Sequence, residues 1–392
     1  MRSALPILLV ILLVLTSVSV NIVLAQNYLD DLPWGVERVR GDLPWDSDRN
    51  LIVDPGANAG QGIRVAVIDS GIWKDHPDLA GRVVGGYSFV AGKEYWEDSY
   101  GHGTHIAGTI AAIDNGNHLI GIAPKVSLYA VKVYDDPELI NPTYIASGIR
   151  WAVDQSGAHI ISISLGSYHN YPEVEEAVNY ANANGVLLIA TAGDDNLGEV
   201  KYPAKYDSVI AVGAIDREDK RWVNPPYGSN YGPEMELSAP GMNINSTVTP
   251  SGYELRSGTS FAVPHVTGTA ALIWGSKMDP AFDSNGNGQW DYSEVRAKLQ
   301  KTALDLPPSG RDAEYGFGLV NAWRSLQRPE GDITRDGKVN ILDLAAVGRS
   351  YGKDDNHPDW WLYHRPHDIN INNVVYIEDL TIVGRNYGKV DP

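Results

Sequence analysis

From Gly62 onward the chain alternates short apolar runs with stretches of helical period. Residues 63–68, 127–133, 159–165, 186–191 and 209–212 are nearly continuous apolar runs and read as strands. Residues 104–113, 144–155, 173–184 and 261–274 repeat their apolar positions as helices do. Strands without alternation, separated by helices, predict a sheet buried on both faces. The expected fold is α/β, a doubly wound and mostly parallel sheet. Such sheets bind ligands beyond the carboxyl ends of their strands.

Two regions depart from this rhythm. Residues 1–25 carry Arg2, an apolar run from Leu5 to Leu15 and the small residue Ala25. That pattern predicts a signal peptide cut before Gln26, with a retained membrane anchor as the rival. After a Pro-containing linker at 327–331, the run Asp343-Leu344-Ala345-Ala346-Val347-Gly348-Arg349 recurs as Asp379-Leu380-Thr381-Ile382-Val383-Gly384-Arg385. The expected domains are therefore 26–328 and a small all-α module at 329–392.

Composition adds limits. The formal net charge of −18 disfavours nucleic acid and suits cations. The chain has no cysteine, so no disulfide can brace it.

Three stretches carry candidate chemistry. Val65-Ala66-Val67-Ile68-Asp69-Ser70-Gly71 is an apolar strand ending in an acid and a glycine turn. Gly101-His102-Gly103-Thr104-His105 sets a histidine between glycines at a helix start. Gly258-Thr259-Ser260-Phe261-Ala262-Val263-Pro264-His265 puts a serine at the positive end of an apolar helix, where an oxyanion is stabilised. Taken singly, these residues also read as a turn acid, a helix-start histidine and a helix cap. Asp69, His102 and Ser260 in that order suit a nucleophile, its base and the group that orients the base. His105 and His265 read as structural histidines that point inward.

All three motifs resemble those of the subtilisin-like serine proteases (subtilases), over about residues 32–326. The resemblance implies a secreted endopeptidase with Asp69, His102 and Ser260 as triad. It implies that Ser164, Leu165 and Gly166, with Thr191 and Gly193, wall the substrate pocket. Lys201, near the base of that pocket, would favour acidic or long side chains unless Asp195 nearby neutralises it, and reads rather as a solvated loop residue. The family usually carries an inhibitory pro-segment, which has no counterpart between residue 25 and the mature-like start at Leu32-Pro33-Trp34-Gly35. Where the family places an asparagine that donates to the oxyanion, this chain has Asp194. An ionised carboxylate offers no donor there, so the expectation is either a protonated Asp194, help from Asn196, or an impaired, scaffold-like subtilase.

Calcium is the expected cofactor. Asp283, Asn285, Asn287, Gln289, Asp291 and Glu294 carry the spacing of a twelve-residue calcium loop, with Gly288 sixth. The resemblance implies a second site from Asp30, Asp78, Ile113, Asn115, Asn117 and Leu119. In the C-terminal repeat, Asp332, Thr334, Asp336, Lys338, Asn340 and Asp343 form one loop, and Asp368, Asn370, Asn372, Val374 and Asp379 a weaker second. This pair of loop–helix units resembles a dockerin, a module that plugs into a cohesin. The implied partners are a protein substrate and a cohesin, with no nucleic acid.

Overall fold

The computed structural model describes residues 32–46, 50–115, 119–326, 331–333, 338–354, 368 and 374–390. A seven-stranded sheet organises the larger part. Its order is β2 (Val83–Ser88), β3 (Ser127–Lys132), β1 (Arg64–Asp69), β4 (Ile160–Ile163), β5 (Leu187–Thr191), β6 (Val209–Ile215) and β9 (Leu237–Pro240). Every pairing is parallel. Two short antiparallel ribbons join β7 (Val223–Asn224) to β8 (Tyr227–Gly228) and β10 (Ile244–Val248) to β11 (Gly252–Arg256).

Strand continuity has a simple cause. Val65 and Val67 enter one hydrophobic core, while Ala66 and Ile68 enter another on the opposite face. The first core is closed by α2 (His102–Ala111) and α5 (Val263–Trp274), through Ile106, Ile110, Val266 and Ile273. The second is closed by α3 (Pro142–Asp154) and α4 (Pro172–Ala183), through Ile149 and Val178. With both faces covered, no strand position is free to be polar by default. A short helix, α1 (Trp34–Arg38), precedes the sheet. Helices α6 (Tyr292–Thr302) and α7 (Ala322–Leu326) follow α5.

The order of strands reverses about β1. Its neighbours β3 and β4 lie on opposite sides of it, yet α3 links them directly in sequence. Asp69, the last residue of β1, therefore stands at the switch point where open sheets gather their ligands.

In the C-terminal segment, α8 (Ile341–Ser350) and α9 (Ile377–Asn386) share a small core of Ile333, Val339, Ala346, Val347, Val375 and Val383. The two repeats exchange backbone. Val339 bonds Gly388 and Lys389, while its repeat mate Val375 bonds Gly352 and Lys353 at 2.7–2.9 Å. Among the described residues no helix is long and apolar enough to cross a membrane. Residues 1–25 and the linker at 327–330 lie outside them.

Candidate active site

Asp69 is fully buried, and three donors converge on its carboxylate. His102 Nδ1 lies 2.8 Å from Oδ1 and 3.0 Å from Oδ2. Ser70 N–H donates to Oδ1 at 2.7 Å, and the Tyr134 hydroxyl donates to the same oxygen at 3.0 Å. The histidine arrives as the first residue of α2. That turn is held by Asp98, a buried acid whose two oxygens accept from Ser70 Oγ, Tyr100 N, Gly101 N, Thr104 N and Thr104 Oγ1. Gly103 lets the helix start press against the strand end, since a Cβ there would stand 2.1 Å from the Gly71 carbonyl oxygen. Burial alone would depress the His102 pKa. The charge and hydrogen bond of Asp69 outweigh it and hold the imidazole above its ordinary value.

Ser260 sits in a 3₁₀ turn, Thr259–Phe261, just before α5, and no side-chain cap bond forms at either helix start. Capping is therefore not its role. Its Oγ donates to the Ser164 carbonyl at 3.0 Å, and Ser164 Oγ donates back to the Ser260 carbonyl at 3.0 Å. The His102 ring packs on Phe261, the next residue, with centroids 5.3 Å apart. Two segments distant in sequence thus deliver an imidazole and an alcohol to neighbouring places, while β1 supplies the acid. In this conformation the serine hydroxyl points to Ser164 rather than to His102.

Asp194 follows β5 and meets the same turn. Its Oδ1 accepts the Thr259 N–H at 2.7 Å and the Thr259 hydroxyl at 2.6 Å. Its Oδ2 lies over Gly258, where a Cβ would stand 2.8 Å away. Gly258 has φ 152°, a conformation that also favours glycine. Burial raises the Asp194 pKa above the usual carboxylate value, against the pull of the Thr259 hydrogen bonds. Asn196 is held elsewhere, its Oδ1 accepting from Arg221 at 2.8 Å.

The pocket residues divide. Leu165 and Gly166 line a cavity of about 240 Å³ together with Ile140, Val174, Tyr202 and Tyr206. Thr191 and Gly193 instead contact Thr259, through a 2.5 Å hydroxyl pair and a 3.1 Å backbone bond. Lys201 is more than a solvated loop residue. Its stem packs against Gly166 and Gly193, its ammonium pairs with Asp195 at 2.6 Å, and it lies 4.9 Å from the Tyr168 ring centre.

Both competing histidines are buried. His105 Nε2 meets the carbonyls of Ile244 and Glu254, and His265 Nδ1 meets that of Phe261. Burial lowers their pKa values to about 3 and about 4, so both stay neutral at ordinary pH. Sequence reasoning missed Tyr134, Asp98 and Thr259, which bond Asp69, the start of α2 and Asp194 respectively. Only the Thr259 position within the serine motif could have drawn notice.

The loop at 283–294 folds as a self-bonded turn. Asp283 accepts from the N–H groups of Asn287 and Gly288 at 3.0 Å, and Asn285 and Asn287 accept from Asn287 and Gln289. Glu294, at place twelve, takes the Ser284 N–H on one oxygen and the Asp291 N–H on the other. Asp343 repeats this with Ile333 and Asn340, and Asp379 accepts from Tyr376. Two loops thus share one closure, and the third shows the half of it that lies within the described residues. Their all-oxygen donor set fits a hard cation such as calcium. Among the described residues no three His, Cys, Asp or Glu side chains form a metal-holding group by themselves.

At the other expected site, Asp78 is fully buried and accepts from Asn115 Nδ2 at 2.9 Å and from the Tyr253 hydroxyl at 2.7 Å. The Ile113 N–H bonds the Asp78 carbonyl at 2.7 Å, and Leu119 is buried nearby in sequence. Asp368 is buried against Arg40, 3.2 Å away. Asp332 is buried, and Lys338 and Val374 make isolated bridges with Val390 and Asp354. Asp30, Asn117, Thr334, Asp336, Asn370 and Asn372 lie outside the described residues.

Comparison with known proteins bears on this geometry. Residues 60–318 match the model of the subtilase family. The chain is 44% identical to a thermostable alkaline protease of Halalkalibacterium halodurans over 296 residues, which are 76% of this chain and 74% of that one. It is 40% identical to subtilisin Savinase of Lederbergia lenta over 74% of this chain and 97% of that one. It is also 40% identical to subtilisin DY of Bacillus licheniformis, over 76% and 99%. With a buried acid, an imidazole and a serine gathered at the switch point of a parallel sheet, the chain belongs to the subtilase family and is a serine endopeptidase of the subtilisin type.

Proposed function

We propose that Ser260 is the nucleophile, His102 the general base and Asp69 the group that orients it. The observation carrying this reading is the pair of contacts from the Asp69 carboxylate to His102 Nδ1, made beside the turn that bears Ser260. With Nδ1–H held by Asp69, the lone pair of Nε2 is free to accept a proton. Rotation of the Ser260 hydroxyl away from the Ser164 carbonyl brings Oγ to that nitrogen. Oγ attacks the peptide carbonyl carbon as its proton passes to His102, which then returns it to the departing amine. Residues 164–166 offer backbone for an extended substrate, and the cavity beside them accepts a bulky apolar side chain.

Asp194 is the oxyanion donor in its protonated form. Oδ1 is committed to Thr259, so the proton belongs on Oδ2, and burial favours keeping it. The sign of the pH dependence follows. His102 must lose its proton, and its raised pKa moves that requirement upward. Asp194 must keep its own, and activity fades as it ionises. The working range is narrow. A second reading, a subtilase fold with little activity, is favoured by the same carboxylate.

We further propose that residues 1–25 direct export, that calcium fills the loops at 283–294 and in the C-terminal repeat, and that the repeat is a dockerin that binds a cohesin. The closure shared by the first two loops, and the half of it seen at Asp379, support the calcium reading. Asp283, Asn285, Asn287 and Glu294 would hold the ion at the first loop. The ion would supply only charge and rigidity, with no part in peptide cleavage.

Hydrolysis of a denatured protein by the parent is expected to vanish in Ser260→Ala, and an unchanged rate there removes the nucleophile assignment. Asp194→Asn restores a permanent donor. It should raise kcat by roughly 10²-fold at pH 8, a scale known from subtilisin itself, and extend activity to higher pH. Equal rates and equal pH profiles in the two proteins would place Asp194 outside the oxyanion site. Chelation should lower the melting temperature of the parent, and Asp283→Ala should remove part of that drop. A melting curve indifferent to both contradicts a calcium role for this loop.

A further inference from the structure

The buried phenol of Tyr134 is unused by the mechanism above. It follows β3, the strand that pairs with β1 in register from Arg64↔Ser127 to Asp69↔Lys132. This register carries residue 134 just past the strand end, level with the turn after Asp69. The residue is 4% exposed, and its hydroxyl reaches Asp69 Oδ1 at 3.0 Å. Its ring packs edge-on against Tyr100, 6.2 Å between centroids, which fixes the direction of the hydroxyl. Three donors therefore share Oδ1, whereas Oδ2 takes only His102.

We infer that Tyr134 is a positioning residue of the triad, which locks the Asp69 carboxylate toward His102 and moderates its pull on the imidazole proton. The physical cause is competition for one oxygen. Each donor to a carboxylate oxygen withdraws electron density that would otherwise stabilise the imidazolium. The phenol stays un-ionised, since burial and then the charge of Asp69 push its pKa well above the ordinary tyrosine value. It can therefore only donate. The other charged groups that bear on His102 are Asp98 from the loop before α2 and Arg256 from β11, while His105 on α2 is neutral. The Lys132 ammonium lies behind the same turn, on the Ser70 carbonyl at 2.7 Å and Asp135 at 2.6 Å. None of these donates to Asp69, so the phenol is the adjustable member.

The inference rests on the triad reading, and its test is chosen to separate the two. The His102 imidazole is titrated by NMR in the full chain for the parent, Tyr134→Phe and a protein with 3-fluorotyrosine at position 134. Removing the hydroxyl should raise the His102 pKa, while the more acidic fluorophenol should lower it. In hydrolysis the acid limb of kcat/KM should move the same two ways, with kcat in Tyr134→Phe down roughly tenfold, the scale of one hydrogen bond to a charged group, and KM unchanged. A His102 pKa unmoved by both changes overturns the inference, even if Tyr134→Phe melts earlier. Loss of Ser260 labelling by a sulfonyl fluoride in the parent would instead strike the triad reading, and the NMR titration would still decide the role of Tyr134.

Discussion

A carboxylate with no access to water, placed at the end of a strand, must be compensated by its neighbours. Asp69 is that group, and the surrounding architecture supplies its donors. One comes from the next residue in the turn, one from the start of α2, and one from beyond β3. Bringing these together requires the parallel register of β1 with β3, the close approach allowed by Gly103, and the five-donor cage on Asp98 that fixes the helix start. The compensation is asymmetric, with three donors on one oxygen and His102 on the other. A histidine held by a buried charge is kept in the orientation and tautomer that a base needs.

The site holds a second buried carboxylate, and it is treated differently. Among the described residues Asp194 receives the two donors of Thr259, both on one oxygen, and no imidazole. Burial raises the Asp194 pKa, and its two hydrogen bonds from Thr259 only partly oppose that. Two acids of identical chemistry are thus surrounded differently: Asp69 meets donors from three segments, Asp194 those of one residue. The proposed roles follow this difference, Asp69 orienting the base and Asp194 serving as a hydrogen-bond donor.

Much of this was legible in the residues. The continuous apolar runs around Ile68 and Ile189 predicted a two-faced parallel sheet, because burial on both sides forbids alternation. Strands β2 and β9 were not anticipated: Val83–Ser88 contains two glycines and is half exposed at a sheet edge, and Leu237–Pro240 is short and ends in proline. Asp69, His102 and Ser260 could be found because each stands beside a glycine-bearing motif whose backbone demands are local. Tyr134 could not, and Thr259 only by its place in the serine motif. Their roles arise from contacts across 65 residues of sequence, and no local pattern marks a tyrosine after a strand as a donor to an acid. Lys201 is half of a different case: its neutralisation by Asp195, six residues earlier on the same loop, was legible, whereas the packing of its stem on Gly166 and Gly193 was not.

The central claim is that Asp69 makes His102 the base for Ser260. Its most direct test is the rate at which a sulfonyl fluoride labels Ser260, measured against pH in the parent and in Asp69→Asn. The account predicts that labelling in the parent rises through one ionisation above pH 6.5, and that Asp69→Asn slows it by roughly 10⁴-fold. Labelling at the same rate in both proteins, with the same pH dependence, would contradict it.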